Sequence, residues 1–235
     1  MTRAAPSCLT RAAFYNQVAL VYDQVYSLSR DYTLCQAAWL ARTCNKGPLL
    51  DLGCGTGRMW DALRKLNIGM LTGLDCAGSM LKLAKKSHSK ARLVQGDAAQ
   101  GLPFKDGSFE TVISLHSTLI HVTCWDDLGR MSGEVFRVLK PGGIFVAELP
   151  HPACFEENPD WQEAKEGMYY RSVEDGLTEL KIDTPVSLKT RVRIIQLSEL
   201  SKFFKKFPIL EVHPGFKGGM FDPDKGDLMV VCARK

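Results

Sequence analysis

The chain lacks most of the features that assign a protein to a class at sight. Its longest apolar runs are too short to cross a bilayer, and its start carries no apolar core of signal-peptide type, so neither a membrane span nor a secretory leader is expected. None of its eight cysteines forms a C-x-x-C pair, which removes the thioredoxin and zinc-ribbon patterns. Several lie inside apolar runs, as at Val231-Cys232, and are expected to behave as small buried hydrophobes in a reducing, cytoplasmic-type compartment. Charge of one sign is not in excess: 30 basic against 26 acidic residues leave +4, too mild to imply a nucleic-acid partner. Acidic residues are missing from the start, the first being Asp23, while Arg3 and Arg11 sit among Ala, Ser and Thr. Such a start fits an organelle-targeting segment or a frayed terminus leading into a helix, and the second reading is preferred. There is no internal repeat, low-complexity tract or interdomain linker, and a length of 235 residues allows one large domain or two small ones.

What is present is an alternation. Leu49-Leu50-Asp51-Leu52 is a short apolar run that ends in the turn Gly53-Cys54-Gly55-Thr56-Gly57, and a helical pattern follows with Met59, Leu63 and Leu66 on one face. Ile68 to Leu74 reads as a strand ending at Asp75, Ser79 to Lys86 as a helix, and Leu93-Val94-Gln95 as a strand closing on Gly96-Asp97. Phe109 to Leu115 is rich in β-branched and apolar residues, Trp125 to Leu139 has helical spacing, Pro141-Gly142-Gly143 stops it, and Ile144 to Leu149 is a buried strand. Strands alternating with helices predict a doubly wound α/β domain with a parallel sheet, whose ligand sits beyond the carboxyl ends of the strands. Gly53 to Gly57, Asp75, Asp97 and His116 all fall at those ends and should line one cleft.

After His151 the texture changes. Met168 to Val173, Leu177 to Ile182 and Leu188 to Leu197 read as strands, with Glu174-Asp175-Gly176 as a hairpin turn between the first two. No helix there is long enough for a parallel crossover, so an antiparallel insertion is expected. Lys189, Arg191 and Arg193 alternate with apolar residues, which predicts one basic face and one largely apolar face. Ser198 to Phe207 then reads as a helix, with Lys202, Lys205 and Lys206 on its solvated side, before two closing strands. The expected organisation is an N-terminal helical cap over 1–46, a core over 47–150, an antiparallel insertion over 151–197, and a closing helix and strands over 198–235.

A glycine turn between strand and helix lets backbone approach a ligand closely. The dinucleotide fingerprint would need a third glycine where Arg58 stands, and the P-loop pattern is absent. Asp51-Leu52-Gly53-Cys54-Gly55-Thr56-Gly57 instead resembles motif I of the class I S-adenosylmethionine-dependent methyltransferases. The resemblance continues through Gly73-Leu74-Asp75, Gly96-Asp97-Ala98, Leu102-Pro103-Phe104 and Glu134 to Gly143, covering about positions 47 to 149 in the family's order. It implies a Rossmann-like, mostly parallel seven-stranded sheet and S-adenosylmethionine as donor, released as S-adenosylhomocysteine, with no metal expected. It further implies that Gly53, Gly55, Thr56 and Gly57 pack on the donor's methionine part, with Asp51 near its ammonium. Asp75 would accept from both ribose hydroxyls, Asp97 and Ala98 would lie at the adenine edge, and Cys76, Met80 and Leu115 would complete the pocket. Relatives with a Tyr-Asp pair on an N-terminal helix also bring in Tyr22, next to Asp23.

His116 directly follows the fourth strand, where the superfamily often places residues facing the methyl group, and His121 lies shortly beyond. Either imidazole is a candidate general base, and either also suits a cap or a core position. His116, His121 and Cys124 match no standard zinc spacing. Tyr15 and Tyr22 are two helical turns apart, so core packing explains them first. The expectation is a methyltransferase acting on a small-molecule acceptor, as a monomer or homodimer with no membrane partner. The Asp/Asn-Pro-Pro-aromatic signature of exocyclic-amine methylation is replaced by Ser114-Leu115-His116-Ser117, and no Pro-Cys nucleophile occurs. The alternatives carried are a tRNA or other nucleic-acid methyltransferase and an inactive cofactor-binding regulator.

Overall fold

The computed structural model describes residues 9–26, 29–68, 70–183 and 185–235. Residues 1–8, with Arg3, Cys8 and the targeting reading, lie outside the described residues. Thr10 accepts the Ala13 amide and starts α1 (Arg11–Val18), and the short α2 (Tyr22–Val25) follows. Ser29 caps α3 (Arg30–Thr43) through the Tyr32 amide. The alternation then runs β1 (Leu49–Leu52), α4 (Trp60–Lys65), β2 (Leu71–Asp75), α5 (Gly78–Ser87), β3 (Arg92–Gln95) and β4 (Phe109–Ser114). It continues through α6 (Trp125–Val138) to β5 (Leu139–Pro150).

Strands β6 (Gln162–Lys165), β7 (Met168–Ser172), β8 (Thr178–Ile182) and β9 (Leu188–Val192) form a separate antiparallel sheet in that order. After α7 (Leu200–Phe203), β10 (Ile209–His213) and β11 (Leu228–Arg234) return to the main sheet. That sheet has seven strands in the order β10-β11-β5-β4-β1-β2-β3, parallel except for the pairs β10–β11 and β11–β5. Its order reverses between β1 and β4, and their carboxyl ends therefore part to leave a crevice.

Period-two alternation sends each strand's apolar residues to both faces. Leu50, Leu52, Val112 and Phe145 meet Leu128, Met131 and Val135 of α6 on one side. Leu49, Ile113 and Val146 meet Leu40 of α3 and Trp60 and Leu63 of α4 on the other. A third cluster joins Phe14, Val18 and Val25 of the N-terminal helices to Met80 of α5 and to Ile182 and Leu188 of the small sheet. Leu9 is tied to the same sheet, its amide donating to the Lys189 carbonyl at 3.0 Å.

Several boundaries differ from the sequence reading, each for a local reason. Strand β6 was not expected, because Gln-Glu-Ala-Lys is a mostly exposed edge strand with no apolar alternation to read. β9 stops at Val192 rather than Leu197, since the Arg193 amide leaves the ladder for the Ile120 carbonyl at 2.7 Å. The expected helix over 198–207 is reduced to a single turn at Leu197–Glu199 and α7. Leu66, expected on the buried face with Met59 and Leu63, lies past the end of α4 and is 40% exposed. The cysteines are less uniform than expected: Cys54 and Cys232 are buried, but Cys124 and Cys154 are exposed. The hairpin turn at Glu174–Gly176 is present, with Asp175 at φ 60°.

Candidate functional site

The crevice at the carboxyl ends of β1, β2 and β4 is a cleft roofed by α1 and α2. Its floor is the turn after β1. Gly53 has φ 71°, and a Cβ there would stand 2.3 Å from the Thr118 side chain, so only glycine fits. Asp75, at the end of β2, is gripped from two sides: the Gly55 amide donates to Oδ2 at 2.9 Å and the Ala77 amide to Oδ1 at 2.8 Å. Burial raises its pKa while these amides lower it. Each oxygen keeps a free lone pair, so the pinned carboxylate can still accept two ligand hydroxyls. Asp51 is buried with one neutral donor, the Trp60 indole N–H at 2.8 Å, and burial pushes its pKa up to about 7. A buried carboxyl without a cation is a ready counter-charge for a ligand ammonium.

The far end is closed by the N-terminal helices. Arg11 pairs with Asp97 and also donates to the His121 carbonyl at 3.3 Å. The Tyr15 hydroxyl and His121 Nε2 share a hydrogen bond at 2.8 Å. Tyr22 packs between Tyr15, which it meets edge-on, and Tyr26, and burial raises its pKa to about 12, so it stays protonated. Asn16 Oδ1 accepts the Ser79 amide at 2.9 Å, pinning α1 to the start of α5.

Tyr22, Asp51, Gly53, Gly55, Thr56, Asp75, Cys76, Met80, Asp97, Ala98, Leu115, His116 and His121 all line this one cleft. Gly57 is the exception. Its carbonyl contacts His88 Nε2 at 3.0 Å, and it packs the turn against α5 instead of facing the cleft. The two histidines stand apart in their surroundings. His121 belongs to the Arg11–Asp97 end, whereas His116 follows β4 beside Thr118, with its backbone amide donating to Glu148 at 2.9 Å. Burial lowers both imidazoles to about 4, so both are neutral at pH 7. His116 and Ser117 have φ 52° and 59°, left-handed conformations that non-glycine residues adopt at a cost.

Sequence reasoning missed Arg11, Tyr15, Arg58 and Glu148. Of these only Glu148 left a signal, a carboxylate inside the apolar run of a central strand. Among the described residues no cluster of three His, Cys, Asp or Glu comes together to hold a metal, and no helix is long and apolar enough to cross a membrane.

Residues 50–147 match the family model described as a methyltransferase domain. An uncharacterized protein of Methanocaldococcus jannaschii, MJ1252, is 35% identical over 134 residues, which are 57% of this chain and 49% of that protein. The demethylmenaquinone methyltransferase of Chlorobaculum tepidum is 34% identical over 154 residues, 61% of this chain and 62% of that protein. The chain thus spans about half to three fifths of the length of these relatives. Among solved structures, the CcbJ methyltransferase from Streptomyces caelestis superposes with a TM-score of 0.78 at 20% identity, over 94% of this chain and 97% of that one. That likeness concerns the fold.

Proposed function

We propose that this chain, a member of the class I S-adenosylmethionine-dependent methyltransferase family, moves a methyl group from S-adenosylmethionine to a small-molecule acceptor. The observation that carries the reading is the pinned Asp75 beside the glycine turn, with the cation-free Asp51 behind it. A ligand with a vicinal diol and an ammonium group satisfies both carboxylates at once. The donor residues in this reading are Tyr22, Asp51, Gly53, Gly55, Thr56, Asp75, Cys76, Met80, Asp97, Ala98 and Leu115. Gly57 shapes the turn from outside the cleft.

The donor supplies an already activated methyl on sulfonium sulfur. The chain's own work is then to orient, to exclude water and to steady charge. Arg11 and Tyr15 hold the helical roof down on Asp97 and His121, which seals the adenine end. His116 lines the cleft under the influence of Arg58 rather than Arg11 and is the residue we place at the acceptor, while His121 acts through the roof.

Support for a small-molecule acceptor comes from the small sheet. Its apolar face packs through Ile182 and Leu188 on the same cluster as the roof helices, so it continues the cleft's cover. Its outer face carries Arg171, Lys181 and Lys189, all within 5.1 Å of the Trp161 ring, with Glu179 among them. We read residues 151–197 as the acceptor cover. The demethylmenaquinone methyltransferase relative also carries a small acceptor in its name. The test is incubation of the purified chain with donor and a metabolite extract, with S-adenosylhomocysteine and the methylated product followed by mass spectrometry. Donor binding without turnover in any extract favours the regulatory alternative, and turnover only with RNA or DNA favours the nucleic-acid one.

A further inference from the structure

The glycine turn is held from behind by side chains that do not line the cleft. His88, just past the end of α5, is 8% exposed and meets Gly57 across 31 positions of sequence. Its Nε2 lies 3.0 Å from the Gly57 carbonyl, and Nη1 of Arg64 lies 2.9 Å from its Nδ1. Those two contacts fix where the ring carries its hydrogen. A guanidinium only donates, so Nδ1 is the acceptor, and Nε2 bears the N–H that a carbonyl requires. Asp61 stands 3.5 Å from the same Arg64 nitrogen and anchors it beside the ring. The Gly57 carbonyl also accepts the Trp60 amide at 3.0 Å, so both its lone pairs are used.

The same layer reaches Asp51. Trp60 is fully buried, and its indole N–H donates to the Asp51 carboxyl at 2.8 Å. Its ring packs on the His88 ring at 5.4 Å and on the Arg64 guanidinium at 5.8 Å. Gly73 of β2 makes room for it, since a Cβ there would stand 2.6 Å from the indole. At Gly57 a Cβ would stand 2.9 Å from the His88 ring and 3.4 Å from Trp60, so the end of the turn and the layer are in direct contact. The start of the turn is tied differently. The Gly53 and Cys54 amides donate to the Leu74 carbonyl at 2.8 and 3.2 Å, and the Gly55 amide donates to Asp75.

We propose that His88 is a positioning residue for donor binding: through the Gly57 carbonyl it sets the end of the glycine turn, and with Arg64 it seats Trp60, which aims Asp51. This rests on the methyl-transfer reading above and adds to it a residue outside the cleft. A carboxylate and a row of backbone groups bind best when they are aimed before the ligand arrives, because ordering them on binding subtracts from affinity. The layer touches Gly57 and Asp51, which belong to the turn and strand end read as holding the donor's amino-acid part. None of its hydrogen bonds or ring contacts is with Asp97, Arg11 or His121 at the adenine end. Its influence therefore falls on one end of the donor.

Calorimetry with two ligands tests this without turnover: S-adenosylhomocysteine, and 5′-methylthioadenosine, which keeps the nucleoside and the sulfur and lacks the amino-acid part. His88→Leu fills the space without either hydrogen bond. It should weaken S-adenosylhomocysteine roughly tenfold, the size of one hydrogen bond, and leave methylthioadenosine within about threefold of its original affinity. His88→Gln can place an N–H on the Gly57 carbonyl and should restore most of the lost affinity. His88→Asn is too short to reach that carbonyl, should behave as the leucine variant does, and serves if that variant does not fold. An equal loss for both ligands, no loss for either, or a glutamine that restores nothing makes His88 a packing residue and overturns the proposal. If neither ligand binds the unaltered chain, the donor-site reading itself falls and the positioning role with it.

Discussion

Asp75→Ala tests the donor site most directly. In the structure its carboxylate is already committed to the Gly55 and Ala77 amides at 2.9 and 2.8 Å, so its direction is fixed before any ligand arrives. A hydrogen bond to a charged group contributes about 1.5–3 kcal/mol, and a pinned acceptor has little ordering entropy left to lose. S-adenosylhomocysteine should therefore bind roughly 10- to 150-fold more weakly to the variant, at about 1.4 kcal/mol per factor of ten. The assay is calorimetry with two ligands, S-adenosylhomocysteine and its 2′-deoxy analogue, on wild type and variant. If the carboxylate grips the ribose, the deoxy analogue should be weaker on wild type and should lose less on substitution, because one shared hydrogen bond is already missing. Freeing two backbone amides also costs stability, so a melting curve must show that the variant is folded. Unchanged affinity in a folded variant, or equal losses for both ligands, would refute the assignment.

Gly53→Ala should lower stability by at least about 1–2 kcal/mol in urea unfolding, from the left-handed backbone alone, and abolish donor binding as the methyl meets Thr118. Arg11→Gln leaves Asp97 without its cation and should speed S-adenosylhomocysteine release several-fold in stopped-flow, with little change in melting temperature because the pair is partly exposed. His116→Gly should relieve about 1 kcal/mol of backbone strain yet lower turnover once an acceptor is known; unchanged turnover would return His116 to a structural role. Glu148, raised by burial to about 7, binds a proton in the folded state that an unfolded glutamate releases near pH 4.5. Its contribution to stability is full below pH 4.5 and is lost as pH rises through 7. Glu148→Gln should therefore gain in urea stability relative to wild type between pH 5 and pH 8. A difference that stays flat with pH would contradict the raised value.

The sequence by itself determined the doubly wound core and most of the residues that line its cleft. Each strand-end motif is a local instruction: Gly53 must be glycine because its own backbone turns left-handed, and Asp75 ends an apolar strand whose neighbours fix its direction. Strand alternation dictates a parallel sheet, and a parallel sheet puts all its carboxyl ends on one edge, so the cleft followed from order alone. Gly57 shows the limit of that logic, since a motif position does not say which way a turn faces and packing on His88 turned it outward.

What only the tertiary structure decided is long-range. Arg11 meets Asp97 across 86 positions, Tyr15 meets His121 across 106, and Gln36 meets Glu148 across 112, and no local pattern encodes such pairs. The same holds for the edge strand β6, whose polar residues pair because β7 is there to receive them. His116 and His121 are five residues apart and look equivalent in sequence. Partners from distant segments tell them apart: the backbone amide of His116, itself at positive φ, donates to Glu148 of β5, while the ring of His121 meets the Tyr15 hydroxyl of the roof.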